Sequence, residues 1–276
     1  MRPPIIVLAL LGSATAMLSA CQKTADKPLP AGNEAVAPAN ETSAPAAAPV
    51  AAKPVKVESK DEYLDFSYGW PGEATVIPAL DQWLRGNMES HRARMTTMAR
   101  ADAKAAKTNG YPFRPYSYDE TWSVTANTPT LLVLHAQGGE YTGGAHGNPF
   151  VATLIWDKAK GERLATAALL DVPALARVAK ARFCKELDRQ RAEKRGEPVD
   201  PNAAGPIPEF NQCVPLEKQD IVPLSRNGRT IDQLRIVILP YEAGPYAEGS
   251  YTIDLPMDAA MSSVVKPAWK GAFGAQ

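Results

Sequence analysis

Tyr118-Asp119-Glu120-Thr121-Trp122-Ser123-Val124-Thr125-Ala126 is the stretch on which the fold class turns. Tyr118, Glu120, Trp122, Val124 and Ala126 alternate with Asp119, Thr121, Ser123 and Thr125, the period-two pattern of a half-buried strand. Asn127-Thr128-Pro129 then turns the chain, and Thr130 to Ala136 returns as a second strand. Its near-continuous apolar run, Leu131 to Leu134, predicts a central strand covered on both faces.

Upstream, the period changes. Tyr63, Leu64, Phe66 and Tyr68 form a short strand that ends at Trp70-Pro71-Gly72. After Pro78, Leu80, Leu84, Met88, His91, Met95 and Met98 recur at helical spacing, with charged side chains on the other faces. This predicts a long amphipathic helix from Pro78 to Ala106, stopped by Asn109-Gly110 and Pro112. His91 on the apolar stripe reads as a packed histidine. Downstream, a Gly-rich loop is expected from Gly138 to Pro149, then a strand from Phe150 to Trp156. A hairpin turn at 157–161 leads to a returning strand, Glu162 to Leu164. Asp171 with Pro173 starts a second helix, with Leu175, Ala179, Phe183 and Leu187 as its stripe and Gly196 as its close. A Pro-rich loop spans 196–211. Ile221 to Leu224 and Ile231 to Leu239 pair across Arg226-Asn227-Gly228. Tyr251 to Leu255 is a last strand, and Met257 to Val264 a short helix. The class is α+β with mainly antiparallel sheets, carrying a long N-terminal helix and a second helix packed on them, in two small modules.

The ends and the composition set the setting. Met1 to Cys21 has one positive charge, an apolar run from Ile5 to Leu11 and small residues before Cys21, the organisation of a secretory signal. Leu18-Ser19-Ala20-Cys21 resembles the lipobox of bacterial lipoproteins. That resemblance implies cleavage before Cys21 and lipid on its sulfur; the alternative is an ordinary cleaved signal. Gln22 after the cysteine resembles sorting to the outer membrane. The expected localisation is thus the cell envelope, on the periplasmic side, with the membrane met through the lipid anchor only. From Gln22 to Pro54 the chain is rich in Ala and Pro and nearly free of large apolar side chains, so it reads as an extended tether. The expected organisation is 1–20 signal peptide, 21–54 lipidated cysteine and tether, 55–136 N-terminal module and 137–276 C-terminal module. Thirty Lys and Arg balance thirty Asp and Glu, so no basic excess argues for nucleic acid. With Cys21 assigned to lipid, Cys184 and Cys213 remain as an even pair. A disulfide is the simplest reading in an oxidising compartment. Two metal ligands are the rival, but no histidine or third cysteine lies in that segment.

Two loops carry the candidate site. The first is Tyr141-Thr142-Gly143-Gly144-Ala145-His146, where paired glycines permit positive φ beside an aromatic ring and an imidazole. The second runs from Pro240-Tyr241-Glu242 to Gly244-Pro245-Tyr246, where prolines stiffen a surface with two tyrosines and one carboxylate. These motifs, in this order, resemble the signature of domain-of-unknown-function family 3298 (DUF3298). The family includes the extracellular part of the RsiV anti-sigma factor and the accessory region of the PdaC peptidoglycan deacetylase. The resemblance covers roughly Tyr63 to Trp269 and implies a small DUF4163-like N-terminal module followed by a DUF3298-like one. RsiV-like domains bind lysozyme through loops. The resemblance therefore implies that Tyr141, Thr142, Gly143, Gly144, His146, Tyr241, Glu242, Pro245 and Tyr246 meet a lysozyme-like protein or a peptidoglycan fragment. A lipid anchor in place of a membrane helix departs from RsiV. No cofactor, metal or catalytic residue is expected.

Two other functions stay open on the sequence. One is a cell-wall glycan-modifying enzyme, although the Gly-x-Ser-x-Gly and His-Glu-x-x-His motifs are absent. His135, His146 and Asp157 are loose metal candidates, and Glu242 with His146 is a possible acid–base pair if their loops meet. The other is a structural envelope lipoprotein with a protein partner. For each loop residue the bland alternative is a tight turn or a packed ring.

Overall fold

The computed structural model describes residues 52–202 and 207–274. The signal, Cys21 and most of the tether lie outside these residues. These described residues belong to one compact unit.

The chain runs β1 (Val55–Lys60), β2 (Leu64–Trp70), α1 (Gly72–Thr75), α2 (Pro78–Asn109), β3 (Tyr116–Asn127), β4 (Leu131–Tyr141), β5 (Asn148–Asp157) and β6 (Glu162–Leu164). It continues through α3 (Thr166–Leu169), α4 (Val172–Arg195), β7 (Asp220–Leu224), β8 (Gln233–Ile238), β9 (Tyr251–Pro256) and α5 (Ala259–Ser263). Strands β1 to β6 form one sheet in sequence order, and β7-β8-β9 form a second. Pairing is antiparallel except between β2 and β3, which α2 connects as a crossover. This is the expected α+β class with mainly antiparallel sheets.

The alternation around Trp122 decides which way each strand faces. Tyr116, Tyr118, Trp122, Leu132, Leu134, Ala136 and Leu154 share one core with the α2 stripe of Leu80, Leu84, Met88, Met95 and Ala99. The opposite phase, Leu131, Val133 and Ile155, belongs to a second core with α4 and the second sheet. β4 is therefore central and two-sided, buried from Leu131 to Ala136. It also runs through the 136/137 module boundary, and the first sheet takes strands from both sides of it. The second sheet is tied to the first by side chains: Thr125 Oγ1 donates to the Pro223 carbonyl at 3.0 Å and Thr153 Oγ1 to Asp220 at 2.9 Å. Arg191, one more turn along the Leu175–Leu187 stripe of α4, is fully buried.

Some expectations need correction. The sequence pattern does not mark β1; it is an edge strand with only Val55 and Val57 turned to the core and the rest exposed, too short an alternation to signal a strand. The Gly-rich loop is shorter than its glycines suggest, because β4 continues to Tyr141 and β5 begins at Asn148. Gly138 lies inside the ladder, where a Cβ would collide with the Asp119 carbonyl and the Phe150 ring. It is a close-approach glycine, which a sequence reading takes for a turn. Met98 leaves the predicted stripe at 39% exposed, and Ala99 packs instead. β8 starts at Gln233, two residues later than expected.

Candidate functional site

The shortened loop ends beside the β8–β9 connection. Gly143 and Gly144 adopt φ of 99° and 94°, a conformation that favours glycine. The turn they make is closed by Tyr141, whose hydroxyl donates to the Gly144 carbonyl at 3.3 Å. It carries His146 onto the second loop, where the ring stacks on Tyr246 with centroids 3.8 Å apart. Nδ1 lies 2.9 Å from the Gly147 carbonyl and Nε2 lies 3.2 Å from the Tyr241 hydroxyl. A carbonyl only accepts, so Nδ1 carries the proton; in the neutral ring Nε2 then accepts from Tyr241. The Tyr246 hydroxyl donates to the same Gly147 carbonyl at 3.0 Å. The two loops meet, and three rings form one cluster.

The second loop is held from beneath by the last turns of α4. The buried Arg191 donates to the carbonyls of Ala243 and Gln212, each at 2.9 Å, and to Asp188 at 3.0 Å. Arg195 pairs with Glu248 at 2.8 Å, and Lys194 reaches the Glu248 and Ser250 carbonyls while lying 3.9 Å over the Tyr251 ring. The Tyr251 hydroxyl also donates to Glu248. The guanidinium and the Tyr251 hydroxyl lower the Glu248 carboxyl below its ordinary value despite its burial, and burial with that carboxylate pushes Tyr251 up to about 12. The Cys184–Cys213 disulfide forms, with Cα atoms 5.3 Å apart, and joins α4 to the segment that Arg191 also grips. On this base Tyr241 sits at φ 71°, the one non-glycine residue with positive φ among those described, its N–H bonded to the Gly244 carbonyl at 3.0 Å. It is 56% exposed. A β-carbon in that region costs of order 1 kcal/mol or more, so the surroundings must hold it there.

Not every predicted residue joins the cluster. Glu242 and Pro245 are exposed beside it, and Thr142 is half-buried. The metal candidates are apart from one another in role: His135 is buried with Nε2 3.2 Å from Asp220, without hydrogen-bond alignment, and Asp157 accepts from the Ala159 and Lys160 N–H groups of its turn. No group of three or more metal-ligating side chains gathers among the described residues.

A second constellation, absent from the sequence reading, lies across the sheet under α2. Glu120 is only 2% exposed. Tyr118 donates to its carboxyl, and the Tyr68 hydroxyl beside it accepts from Trp122 Nε1 at 2.8 Å and Asn87 Nδ2 at 3.0 Å. Burial raises the Glu120 carboxyl above its ordinary value, the neighbouring hydrogen bonds only partly offsetting it. His91, stacked on Tyr118 at 5.0 Å, is pushed the other way by burial and by Arg94. The available signal was a glutamate on the apolar phase of β3, between Tyr118 and Trp122.

Residues 57–149 match the family model described as Deacetylase PdaC, a span that includes the His146 loop and ends before the Tyr241 loop. Among solved structures, a DUF3298 family protein from Pseudomonas aeruginosa PAO1 is 16% identical, with a TM-score of 0.47 and coverage of 81% of this chain and 97% of that one. A DUF3298 family member from Bacteroides fragilis NCTC 9343 is 18% identical, with a TM-score of 0.43 and coverage of 79% and 95%. No curated protein matches the sequence. Over residues 57–149 the chain is thus similar to the PdaC family.

Proposed function

We propose that this chain is a non-catalytic envelope binding module that docks a lysozyme-like protein on its His146–Tyr241–Tyr246 edge. Similarity to the DUF3298/PdaC-like family supports an extracellular, envelope-associated domain. The lipobox-like Leu18-Ser19-Ala20-Cys21 and the tether support a lipid anchor, on the periplasmic side of the outer membrane.

One observation carries the docking surface. Two loops distant in sequence lock into a single aromatic cluster, and its outermost ring, Tyr241, is held in a strained conformation and left largely exposed. Held tyrosines offer large contact area at little entropy cost, and such rings dominate protein interfaces. The two arginines that fasten the second loop to α4 make the edge rigid before a partner arrives.

Interferometry of the soluble form, residues 49–276, against C-type lysozyme and against peptidoglycan fragments tests the reading, with salt varied to separate docking from charge attraction. Saturable lysozyme binding at physiological salt is expected, weakened by about 2 kcal/mol, roughly thirtyfold, in Tyr241→Ala. Binding that vanishes with salt, or full affinity in both Tyr241→Ala and Tyr246→Ala, would overturn it. Binding of peptidoglycan fragments alone would reject the protein partner.

A further inference from the structure

The constellation under α2 lines a cavity of about 280 Å³, near the lower end of small-molecule sites. Trp83, Asn87 and His91 reach it from one face of α2, at successive four-residue steps. Glu120 and Trp122 come from β3, two apart and so on one face, and Arg163 comes from β6.

Each group is fixed. Trp83 and Trp122 meet edge to face with centroids 6.1 Å apart and make an apolar corner. The Arg163 guanidinium lies 4.3 Å over the Trp83 ring. The Trp122 and Asn87 donors to Tyr68 anchor those two side chains, and Tyr118 orients Glu120. Glu120, though only 2% exposed, borders the cavity.

The lining selects a class of ligand. A carboxyl, an amide and an imidazole converge beside flat indoles. An anion set against Glu120 would meet the carboxyl oxygens whether or not they carry a proton, and the exposed Arg163 opposes a cation. Burial also favours the uncharged forms of Glu120 and His91. Groups that both donate and accept, set against aromatic walls, suit a neutral ring with hydroxyls around its edge and C–H bonds on its face. We infer that the cavity between Trp83, Trp122 and Glu120 binds a single neutral sugar residue of hexose size. This site shares no residue with the His146–Tyr241–Tyr246 edge, so either can fail without the other.

The five tryptophans report on it directly, because each indole N–H gives one signal in a proton–nitrogen NMR spectrum. The probes are glucose and N-acetylglucosamine, titrated into the soluble form. Saturable shifts confined to the Trp83 and Trp122 indoles, with millimolar affinity, are expected for at least one sugar. Trp83→Ala, at a partly exposed helix position, should weaken binding about tenfold or more, and Glu120→Gln several-fold. Tyr246→Ala should leave it unchanged. No saturable shift with either sugar, shifts spread equally over Trp70, Trp156 and Trp269, or unchanged affinity in Trp83→Ala would overturn the inference.

Discussion

The two faces of the six-stranded sheet follow different rules. Toward α4 and the second sheet the core is largely aliphatic: Leu131, Val133 and Ile155 meet Leu175, Leu187, Leu234, Ile236 and Ile253. Toward α2 it is aromatic, built from Phe66, Tyr68, Trp70, Tyr118 and Trp122, and polar groups penetrate it, Glu120 lying beside Tyr68, Tyr118 and Trp122. Aliphatic packing is non-directional and joins layers. A buried hydrogen-bonded network costs stability whenever a partner is missing, and it fixes the direction of every group in it. The first face glues the second sheet in place; the second face holds open a cavity with oriented polar groups. The proposed docking edge is tied to the aliphatic side, where the buried Arg191 donates to the Ala243 carbonyl of its second loop.

Breaking this contrast should give graded effects. Replacing Cys184 and Cys213 together by alanine removes a bridge spanning 29 residues. It should cost about 3.5 kcal/mol on the chain-entropy model, read from denaturant midpoints. Ile236→Ala, on the fully buried aliphatic side, should cost about 3 kcal/mol by cavity formation. Tyr118→Phe keeps the ring and removes the hydroxyl that donates to the buried Glu120; about 2 kcal/mol is expected.

The smallest effect is a pH dependence that belongs to the α2 face alone. The Glu120 carboxyl is raised in the folded chain above its ordinary value of 4.5. The unfolded chain therefore releases that proton first. The contribution to stability is complete below the ordinary carboxylate range and is lost as pH rises through the folded value. Denaturant curves across this range should show Glu120→Gln gaining on the parent as pH rises. Parallel curves would show that Glu120 does not titrate as its burial demands.

Much of the frame was legible in the sequence because its signals are local. The stripe from Leu80 to Met95 and the Asp171 N-cap, which accepts from Ala174 N–H at 2.9 Å, mark α2 and α4. The Tyr118–Ala126 alternation marks β3, and the Leu131 to Leu134 run marks the central strand. What was not legible depends on contacts distant in the chain. β1 carries only two apolar residues, Val55 and Val57, and its place as a strand depends on pairing with β2. Gly138 is in a strand because Asp119 and Phe150 crowd it, which no local pattern encodes. Among the site residues, motifs located the glycines, His146 and both tyrosines, because turn chemistry and aromatic spacing are local. The Arg191 and Arg195 clamps, and the polar cluster around Glu120, form only when helix and strands pack. Their traces in the sequence are charged residues on apolar phases: Arg191 four after Leu187, and Glu120 between Tyr118 and Trp122.

Hydrogen exchange of the soluble form with and without C-type lysozyme, read by mass spectrometry at physiological salt, tests the docking edge most directly. The account predicts added protection in peptides covering 141–147 and 239–249, with the α2 segment 83–91 unchanged. Protection centred on α2, or none at lysozyme concentrations that saturate the parent in interferometry, would contradict it.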